Sequence, residues 1–292
     1  MDVSILLVNY NTVTFLIDTI DSVFDKTIDL EFEIIVVDNA SKDNSQNLLE
    51  ERYKDRITYL ALPENIGFGR ANNEGMKIAK GRNVFLLNPD TILKNNAIKI
   101  LSDFLDDNDK AGAAGANLFN EDGSPQPSYS LTFPSIGFAL SNLTSTLFFY
   151  NRETFNTTGF PKKTFRVVGA AMMIKKEVID AVGMFNPEFF MYAEEDEWCY
   201  RIRKAGYDIY NVPQSEITHL DGKSFQFSEQ RQKRQLQGVR TLYRVCYSPF
   251  YCSVLRIIEY TTILSRLFTS KILGRKDKIE YWSFMYDNRK WE

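Results

Sequence analysis

The sequence predicts an α/β protein with a mostly parallel central sheet and a helical C-terminal extension. Over the first hundred residues, short β-branched runs alternate with segments whose apolar residues recur at helical spacing. This alternation is typical of βαβ units, in which helices cover both faces of a parallel sheet. Polar residues directly follow several of the runs, at the sheet edge where such folds bind ligands. After Ser224 the pattern is helical and rich in aromatic residues.

The individual elements follow from this alternation. Strands are expected at residues 3–8, 34–37, 57–60 and 84–87, and helices at 13–24, 45–53, 69–79 and 96–105. Residues 123–151 carry no charged side chain, and with the segment up to 165 they are expected to form a flexible loop region that sets specificity. Regular structure resumes at 167–174, with helices at 176–182 and 194–205 and a strand at 208–212. Residues 1–224 would form one nucleotide-binding domain and residues 225–292 a basic amphipathic helical extension.

Charge excludes one broad class of function. The net charge of −3 and the pI near 5.5 argue against a nucleic-acid-binding protein. Residues 225–292 hold 13 basic and 6 acidic side chains, whereas residues 1–224 hold 22 and 32. An acidic body with a basic tail suggests that the tail meets an anionic partner such as a membrane surface.

The sequence also predicts a cytoplasmic location. Cys199, Cys246 and Cys252 form no metal-ligand spacing, and an odd, sparse set is typical of a reducing compartment. The N-terminus runs into a predicted strand without the features of a signal peptide. Residues 254–268 are the nearest candidate for a membrane span, but three charged side chains interrupt them.

Two aspartates lie just after predicted strands: Asp38 follows its strand directly, and Asp90 comes three residues after the end of the strand at 84–87. Asp38 could accept hydrogen bonds from a ribose hydroxyl or a base N–H, or it could cap a helix. Asp90, in Asn-Pro-Asp, could hold a divalent cation that neutralises a diphosphate, or it could be an ordinary turn residue.

The segment 65–73 opens a helix with two glycines and could bind phosphates through backbone N–H groups. It has neither a Walker A ending nor the third glycine of a dinucleotide-binding loop.

Four consecutive carboxylates, Glu194 to Glu197, open a predicted helix. Acidic residues suit a helix N-terminus, so good helix design is one explanation. Their mutual repulsion should raise at least one pKa, and a carboxylate placed here could deprotonate an attacking hydroxyl.

His219 is the single histidine of the chain, so a site with two histidines is excluded. It could ligate a metal or contact a phosphate, although a lone histidine is often structural.

In this order, the motifs resemble those of the family 2 glycosyltransferases, which are inverting enzymes of the GT-A fold. The similarity is greatest to the bacterial rhamnosyltransferase-like branch and covers residues 3 to about 224. The motifs that carry it are Val-Asn-Tyr-Asn at 8–11, Val-Asp-Asn-Ala-Ser at 37–41, Asn-Ile-Gly-Phe at 65–68, Asn-Pro-Asp at 88–90 and Glu-Glu at 194–195. The mid-domain segments 169–172 and 182–185 and the terminal His-x-x-Gly-x-Ser at 219–224 also fit.

The resemblance implies a role for each motif. The base and ribose of a UDP- or dTDP-sugar would lie against Val8, Asn9, Tyr10, Asn11 and Asp38. The donor side would be lined by Asn65, Gly67, Phe68, Asn72 and Asn88. Asp90 would ligate Mg²⁺ or Mn²⁺, with His219 near the diphosphate and the metal. Asn88 stands where the family's metal-binding motif usually begins with aspartate.

The resemblance also implies a single displacement on the sugar. The family's catalytic base corresponds to Glu195, with Asp196 the alternative and Glu194 beside them. The acceptor would be a saccharide or lipid-linked saccharide, the sugar a hexose such as rhamnose, and the setting cell-surface polysaccharide synthesis.

Other interpretations remain open at this point. The tail could bind a membrane peripherally, or it could pack on the catalytic domain or on a second subunit in a homodimer. A sugar-nucleotide pyrophosphorylase would carry a Gly-rich, basic loop after the first strand, where this chain has residues 9–12, Asn-Tyr-Asn-Thr. A non-catalytic nucleotide-sugar-binding protein would not need Asp90 or the acidic cluster.

Overall fold

The N-terminal half of the chain is a parallel sheet between helices. A computed structural model describes residues 1–144, 153–220 and 229–291. Strands β1 (Val3–Asn9), β2 (Phe32–Asp38), β3 (Thr58–Ala61) and β4 (Asn83–Leu87) are parallel, in the order β3-β2-β1-β4. Helices α1 (Val13–Lys26), α2 (Ser45–Tyr53) and α3 (Phe68–Ile78) connect them, with a 3₁₀ turn at Lys54–Arg56. The alternation predicted for this region is confirmed.

The second half makes the sheet mixed. Its elements are β5 (Thr91–Leu93), α4 (Ala97–Asp106), β6 (Ala111–Phe119), β11 (Ala171–Lys175), α6 (Lys176–Val182), α7 (Glu194–Lys204) and β12 (Asp208–His219). The strand order continues β4-β11-β6-β12-β5, with β11 antiparallel to both neighbours and β12 parallel to β6. The parallel pairing expected of the sheet is therefore found in the first four strands and between β6 and β12, whereas β11 and β5 pair antiparallel.

Alternation along the strands gives the sheet two apolar faces. In β1, Ile5 and Leu7 pack toward α1 and α4, whereas Leu6 and Val8 pack toward α3 and α7. Because both faces are covered, β1 is buried along its whole length. This burial fixes the strand ends, where the polar motifs lie.

The region predicted as a flexible loop contains regular structure. Its described part includes β7 (Pro125–Gln126), β8 (Tyr129–Ser130), α5 (Ile136–Thr144), β9 (Lys162–Thr164) and β10 (Arg166–Val167). The strands lack a hydrophobic period because each is only two or three residues long and is held by pairing with β6, β12 or each other. Residues 145–151 of the predicted loop lie outside the described residues.

Three helices follow the sheet. They are α8 (Glu229–Cys246), α9 (Pro249–Ile272) and α10 (Lys276–Asp287). In α8, Leu242 is buried against Phe189 and Ala193, and a Cβ on Gly238 would lie 2.3 Å from the Tyr192 carbonyl oxygen. The extension thus packs closely on the segment that leads into α7. Among the described residues, no helix is long and apolar enough to cross a membrane.

Candidate active site

Asn9 and Asp38 form a buried polar pair at the ends of β1 and β2. Asn9 Nδ2 donates to Asp38 Oδ2 at 2.7 Å and lies within hydrogen-bond distance of Ser45 Oγ. Asp38 Oδ1 accepts from the Ser41 backbone N–H at 2.7 Å. The cap of α2 is Asn44 rather than Asp38. These contacts orient the Asp38 carboxylate at the carboxyl end of the parallel strands.

The residues that flank Asn9 in the segment Val-Asn-Tyr-Asn at 8–11 differ in solvent exposure. Val8 is buried in the core, and the Tyr10 ring is 42% exposed. Asn11 has a positive φ of 56°, and its Oδ1 accepts from the Lys42 backbone N–H. The motif therefore presents one aromatic ring next to a fixed carboxylate, an arrangement that suits a nucleoside.

The loop before α3 is held by amide side chains and by the segment before α7. Asn39 Nδ2 donates to Asn65 Oδ1 at 3.0 Å, and the same oxygen accepts from the Gly67 N–H. The Phe68 N–H donates to the Phe190 carbonyl at 2.9 Å. Gly67 has φ 90° and ψ 167°, and a Cβ there would lie 2.2 Å from that carbonyl. Only glycine fits this close approach.

Asn72 is buried within α3. Its Nδ2 donates to the Phe68 carbonyl one turn earlier in the helix. This bond stabilises the first turn of α3, and the donor-side role that the resemblance implies for Asn72 stays a prediction.

Asp90 and His219 meet across the strand pair β5 and β12. His219 Nε2 lies 3.5 Å from Asp90 Oδ1 and 3.4 Å from Asn88 Nδ2. On the other side of the ring, Nδ1 lies 2.8 Å from Gln126 Oε1. The Gln126 Nε2 donates to Asn120 Oδ1 and to the His219 carbonyl, which leaves Oε1 as the acceptor for the ring. Nδ1 of His219 therefore donates to Gln126, and Nε2 faces Asp90 and Asn88.

This pair suits a divalent cation. A carboxylate oxygen suits Mg²⁺ or Mn²⁺ and an imidazole nitrogen suits transition-metal cations, and a hydrogen bond from Nδ1, here to Gln126, orients a metal-ligating histidine. The described residues contain no cluster of three or more His, Cys, Asp or Glu side chains. Other ligands would therefore have to come from solvent and from a bound diphosphate.

The four carboxylates of α7 have different partners. Glu197 accepts two hydrogen bonds from Arg201, at 2.7 and 2.8 Å, and Arg201 also donates to the carbonyls of residues 182–184. Its role is structural. Glu194 is buried, and its Oε2 has no hydrogen-bond partner among the described residues. Burial, together with the charge of Glu195, raises the pKa of Glu194 well above its ordinary value.

Glu195 and Asp196 differ in how firmly Arg166 holds them. Arg166 Nε lies 2.6 Å from Asp196 Oδ1, and Arg166 Nη1 lies 3.8 Å from Glu195 Oε1. Burial raises the pKa of Asp196; Arg166 opposes that rise, and the charge of Glu195 adds to it. Asp196 is thus engaged in a close ion pair, whereas Glu195 is the less tightly held carboxylate.

Two backbone contacts join the acidic helix to the other motifs. A Cβ on Gly169 would lie 3.7 Å from Glu195 Cβ, and the next residue, Ala170, accepts a hydrogen bond from the Asn88 N–H at 3.0 Å. The Phe68–Phe190 bond links the donor loop to the segment before Glu194. These contacts therefore bring the Asn88 turn, the loop before α3 and the start of α7 together at one edge of the sheet.

Sequence reasoning missed Gln126, Arg166 and Phe190. Gln126 and Phe190 carry no sequence signal, since one contacts the site through its amide and the other through its backbone carbonyl. A basic partner such as Arg166 could have been suspected, because a run of carboxylates requires a counter-charge.

Comparison with known proteins agrees with this geometry. The sequence profile of Glycosyl transferase family 2 matches residues 4–183. The chain is 24% identical over 261 residues to a dTDP-rhamnosyl transferase of Shigella flexneri, covering 85% of this chain and 81% of the relative. It is 28% identical over 297 residues to a low-salt glycan biosynthesis hexosyltransferase of Haloferax volcanii, covering 96% and 87%.

The fold is also shared with a solved structure. The mannosyltransferase of Pyrobaculum calidifontis, determined with GDP-Man and Mn²⁺, superposes with a TM-score of 0.61 at 15% identity, covering 96% of this chain and 78% of that protein. The resemblance to the GT-A fold is therefore confirmed, and the transferase interpretation is favoured over a pyrophosphorylase. The profile match covers more than half of the sequence, and the chain belongs to glycosyl transferase family 2.

Proposed function

We propose that this chain transfers a sugar, with inversion, from a UDP- or dTDP-sugar to a saccharide or lipid-linked saccharide during cell-surface polysaccharide synthesis. One observation carries the proposal. The backbone at Gly169 and Ala170 lies beside Glu195 and accepts a hydrogen bond from the Asn88 turn that leads to Asp90, so a carboxylate that could act as a base lies in the same site as the Asp90–His219 pair.

The donor would bind along the strand ends. Asp38 would accept hydrogen bonds from the ribose or the base, and the exposed Tyr10 ring would contact the base. The loop at Asn65–Gly67 would lie beside the sugar diphosphate. The dTDP-rhamnosyl transferase of Shigella flexneri supports rhamnose and deoxythymidine as the first donor to examine.

Asp90 and His219 would hold a divalent cation, which when bound neutralises charge on the diphosphate leaving group. Mn²⁺ in the related mannosyltransferase supports this choice of ion. Gln126 would keep the His219 ring in the tautomer that leaves Nε2 free of a proton. Asn88 would help to orient the same ring.

Glu195 would act as the catalytic base. It would remove the proton from the acceptor hydroxyl as the oxygen attacks the anomeric carbon on the face opposite the diphosphate. Its weaker contact with Arg166 leaves it available to the acceptor, whereas Asp196 is engaged by Arg166. Buried Glu194, with its raised pKa, would be neutral and would not compete for the proton.

We further propose that the extension lies on an anionic membrane surface. The buried face of α9 packs on the protein, whereas Phe250, Ile257, Phe268 and Ile272 on another face are 65–80% exposed. These four side chains form an apolar stripe along α9. At its C-terminal end lie the basic residues Lys271, Arg275, Lys276 and Lys278. An exposed apolar stripe with basic flanks suits the headgroup region of an anionic bilayer. Tyr243, Tyr247 and Tyr251 do not belong to this stripe, because their rings pack against one another and against Trp291.

Vesicle flotation tests this surface. The full chain should float with phosphatidylglycerol-containing vesicles, and Ile257→Asp with Phe268→Asp should abolish flotation. Phe160→Asp is the matched control, because Phe160 is equally exposed but lies far from α9 in sequence. A chain that floats with none of the vesicles, or a double variant that floats like the wild type, would exclude a membrane role for α9.

Thermal shift measurements test the donor site. We expect one nucleoside diphosphate or its sugar to raise the melting temperature, and the rise to require Mn²⁺ or Mg²⁺. Asp90→Asn should remove the dependence on the cation. If no member of a panel of UDP-, dTDP- and GDP-sugars stabilises the chain, the proposed donor site is wrong.

A further inference from the structure

A basic cleft adjoins the segment before α7. Its volume is about 880 Å³, within the usual range of ligand sites. The cleft lies between residues 188–191, α8, the first turns of α9 and the residues after α10. Among its described lining residues, six are basic and two acidic, and the basic ones are Lys233, Arg234, Arg240, Arg244, Arg256 and Lys290.

The basic side chains are not all neutralised. Arg240 pairs with Glu259 at 3.0 Å and donates to backbone carbonyls after α10. Arg244 pairs with Glu188 at 2.7 Å, but more than half of its side chain is exposed. The Arg234 guanidinium lies 4.8 Å from the Phe190 ring centroid, and that of Arg256 lies 4.9 Å from the Trp291 ring. A guanidinium held over an aromatic ring still presents N–H groups at its edge.

The cleft begins at the active site. Phe190, whose ring lies under Arg234, accepts the hydrogen bond from Phe68 in the donor loop through its carbonyl oxygen. Four residues later, Glu194 begins the acidic helix. An anion bound by Arg234 would therefore lie beside the site where the sugar is transferred.

We propose that this cleft binds a phosphate or diphosphate group carried by the acceptor. The proposal rests on the function proposed above and assigns the acceptor's chemical class. Arginine binds phosphate through two parallel N–H···O bonds, so Arg234, Arg244 and Arg256 together match a group with several anionic oxygens. Lys233, Arg240 and Arg244 already pair with carboxylates, so a neutral saccharide would leave Arg234 and Arg256 without an anionic partner among the described residues.

Calorimetric titration of the full chain without divalent cations tests the cleft. The probes are farnesyl diphosphate, inorganic pyrophosphate and farnesol. We expect saturable binding of at least one diphosphate probe, weakened tenfold or more in Arg234→Gln/Arg244→Gln and in Arg256→Gln. Farnesyl diphosphate binding tenfold tighter than pyrophosphate would identify a lipid-linked acceptor, whereas equal affinities would identify a phosphorylated glycan.

A control variant separates the cleft from the rest of the extension. Arg275→Gln/Lys278→Gln removes two cations outside the cleft and should bind the probes like the wild type. Loss of binding in this control equal to that in the cleft variants, binding of farnesol as tight as that of farnesyl diphosphate, or no binding of either diphosphate would overturn the proposal. A nucleotide thermal shift that persists in that case would leave the proposed function standing.

Discussion

His219 Nδ1 lies 2.8 Å from Gln126 Oε1, and this contact leaves the opposite ring nitrogen facing Asp90. The two residues are 93 positions apart in the sequence and meet because β7 pairs with β6 beside β12. The contact makes Gln126 a positioning residue for the proposed cation site.

Gln126→Ala should therefore weaken cation binding. Removal of the partner that orients a metal-ligating histidine typically costs about 10- to 100-fold in metal affinity. The Mn²⁺ concentration giving half of the nucleotide-dependent thermal shift should rise by this factor. The control is Gln214→Ala, which removes an exposed glutamine whose side-chain amide donates to the Gly159 carbonyl. An unchanged Mn²⁺ requirement in Gln126→Ala would refute the role of Gln126.

Gly67→Ala should disrupt the donor loop. Its backbone conformation is nearly exclusive to glycine, and the new methyl carbon would collide with the Phe190 carbonyl. Overpacking and a positive φ together should cost more than about 3 kcal/mol of unfolding free energy and abolish the nucleotide thermal shift.

Gly123→Ala separates the two causes. Gly123 also has a positive φ, of 80°, but a Cβ there would meet nothing within 4 Å. This variant should lose only about 1 to 2 kcal/mol and keep nucleotide binding. Equal losses in the two variants would show that the contact with Phe190 contributes nothing.

Glu194→Gln should change how stability depends on pH. Because the pKa of Glu194 is raised in the folded state, the folded chain holds a proton that the unfolded chain releases above about pH 4.5. The wild type therefore loses stability as the pH rises from there toward the raised pKa, and the variant lacks this loss. Each unit of raised pKa is worth about 1.4 kcal/mol.

The melting temperature of Glu194→Gln relative to the wild type should therefore increase between pH 5 and pH 8, by about 3 °C or more. The control is Glu177→Gln, which removes an exposed carboxylate on α6. A difference in melting temperature that is constant across this range would mean that Glu194 is ionised in the folded protein.

The sequence predicted the parallel half of the sheet well, because β1, β2 and β4 are β-branched runs bounded by polar residues. It did not predict β6, since a strand of Ala-Gly-Ala-Ala-Gly-Ala has no hydrophobic period. A Cβ on Gly115 would lie 2.6 Å from Val167 Cβ, so this small-residue composition reflects close packing against a distant segment. Such a requirement is visible only in the fold.

Some residues of the candidate site could also be predicted from the sequence, because they lie next to predicted strands and helices. Asp38, Asp90 and the carboxylates of α7 follow directly from their positions at strand ends and at a helix start. The distinction between Glu195 and Asp196 depends on Arg166, which lies 30 residues from Asp196 in the sequence and only 2.6 Å from it in the structure. Local patterns carry no information about such a pairing.

The turnover of Glu195→Gln compared with Asp196→Asn tests the central claim most directly, using the donor that the thermal shift panel identifies. Loss of a general base typically lowers turnover about 10²- to 10⁴-fold. We expect this loss in Glu195→Gln with the donor-dependent thermal shift intact, and a smaller loss in Asp196→Asn through Arg166. A Glu195→Gln variant that turns over at the wild-type rate would contradict the assignment of Glu195 as the base.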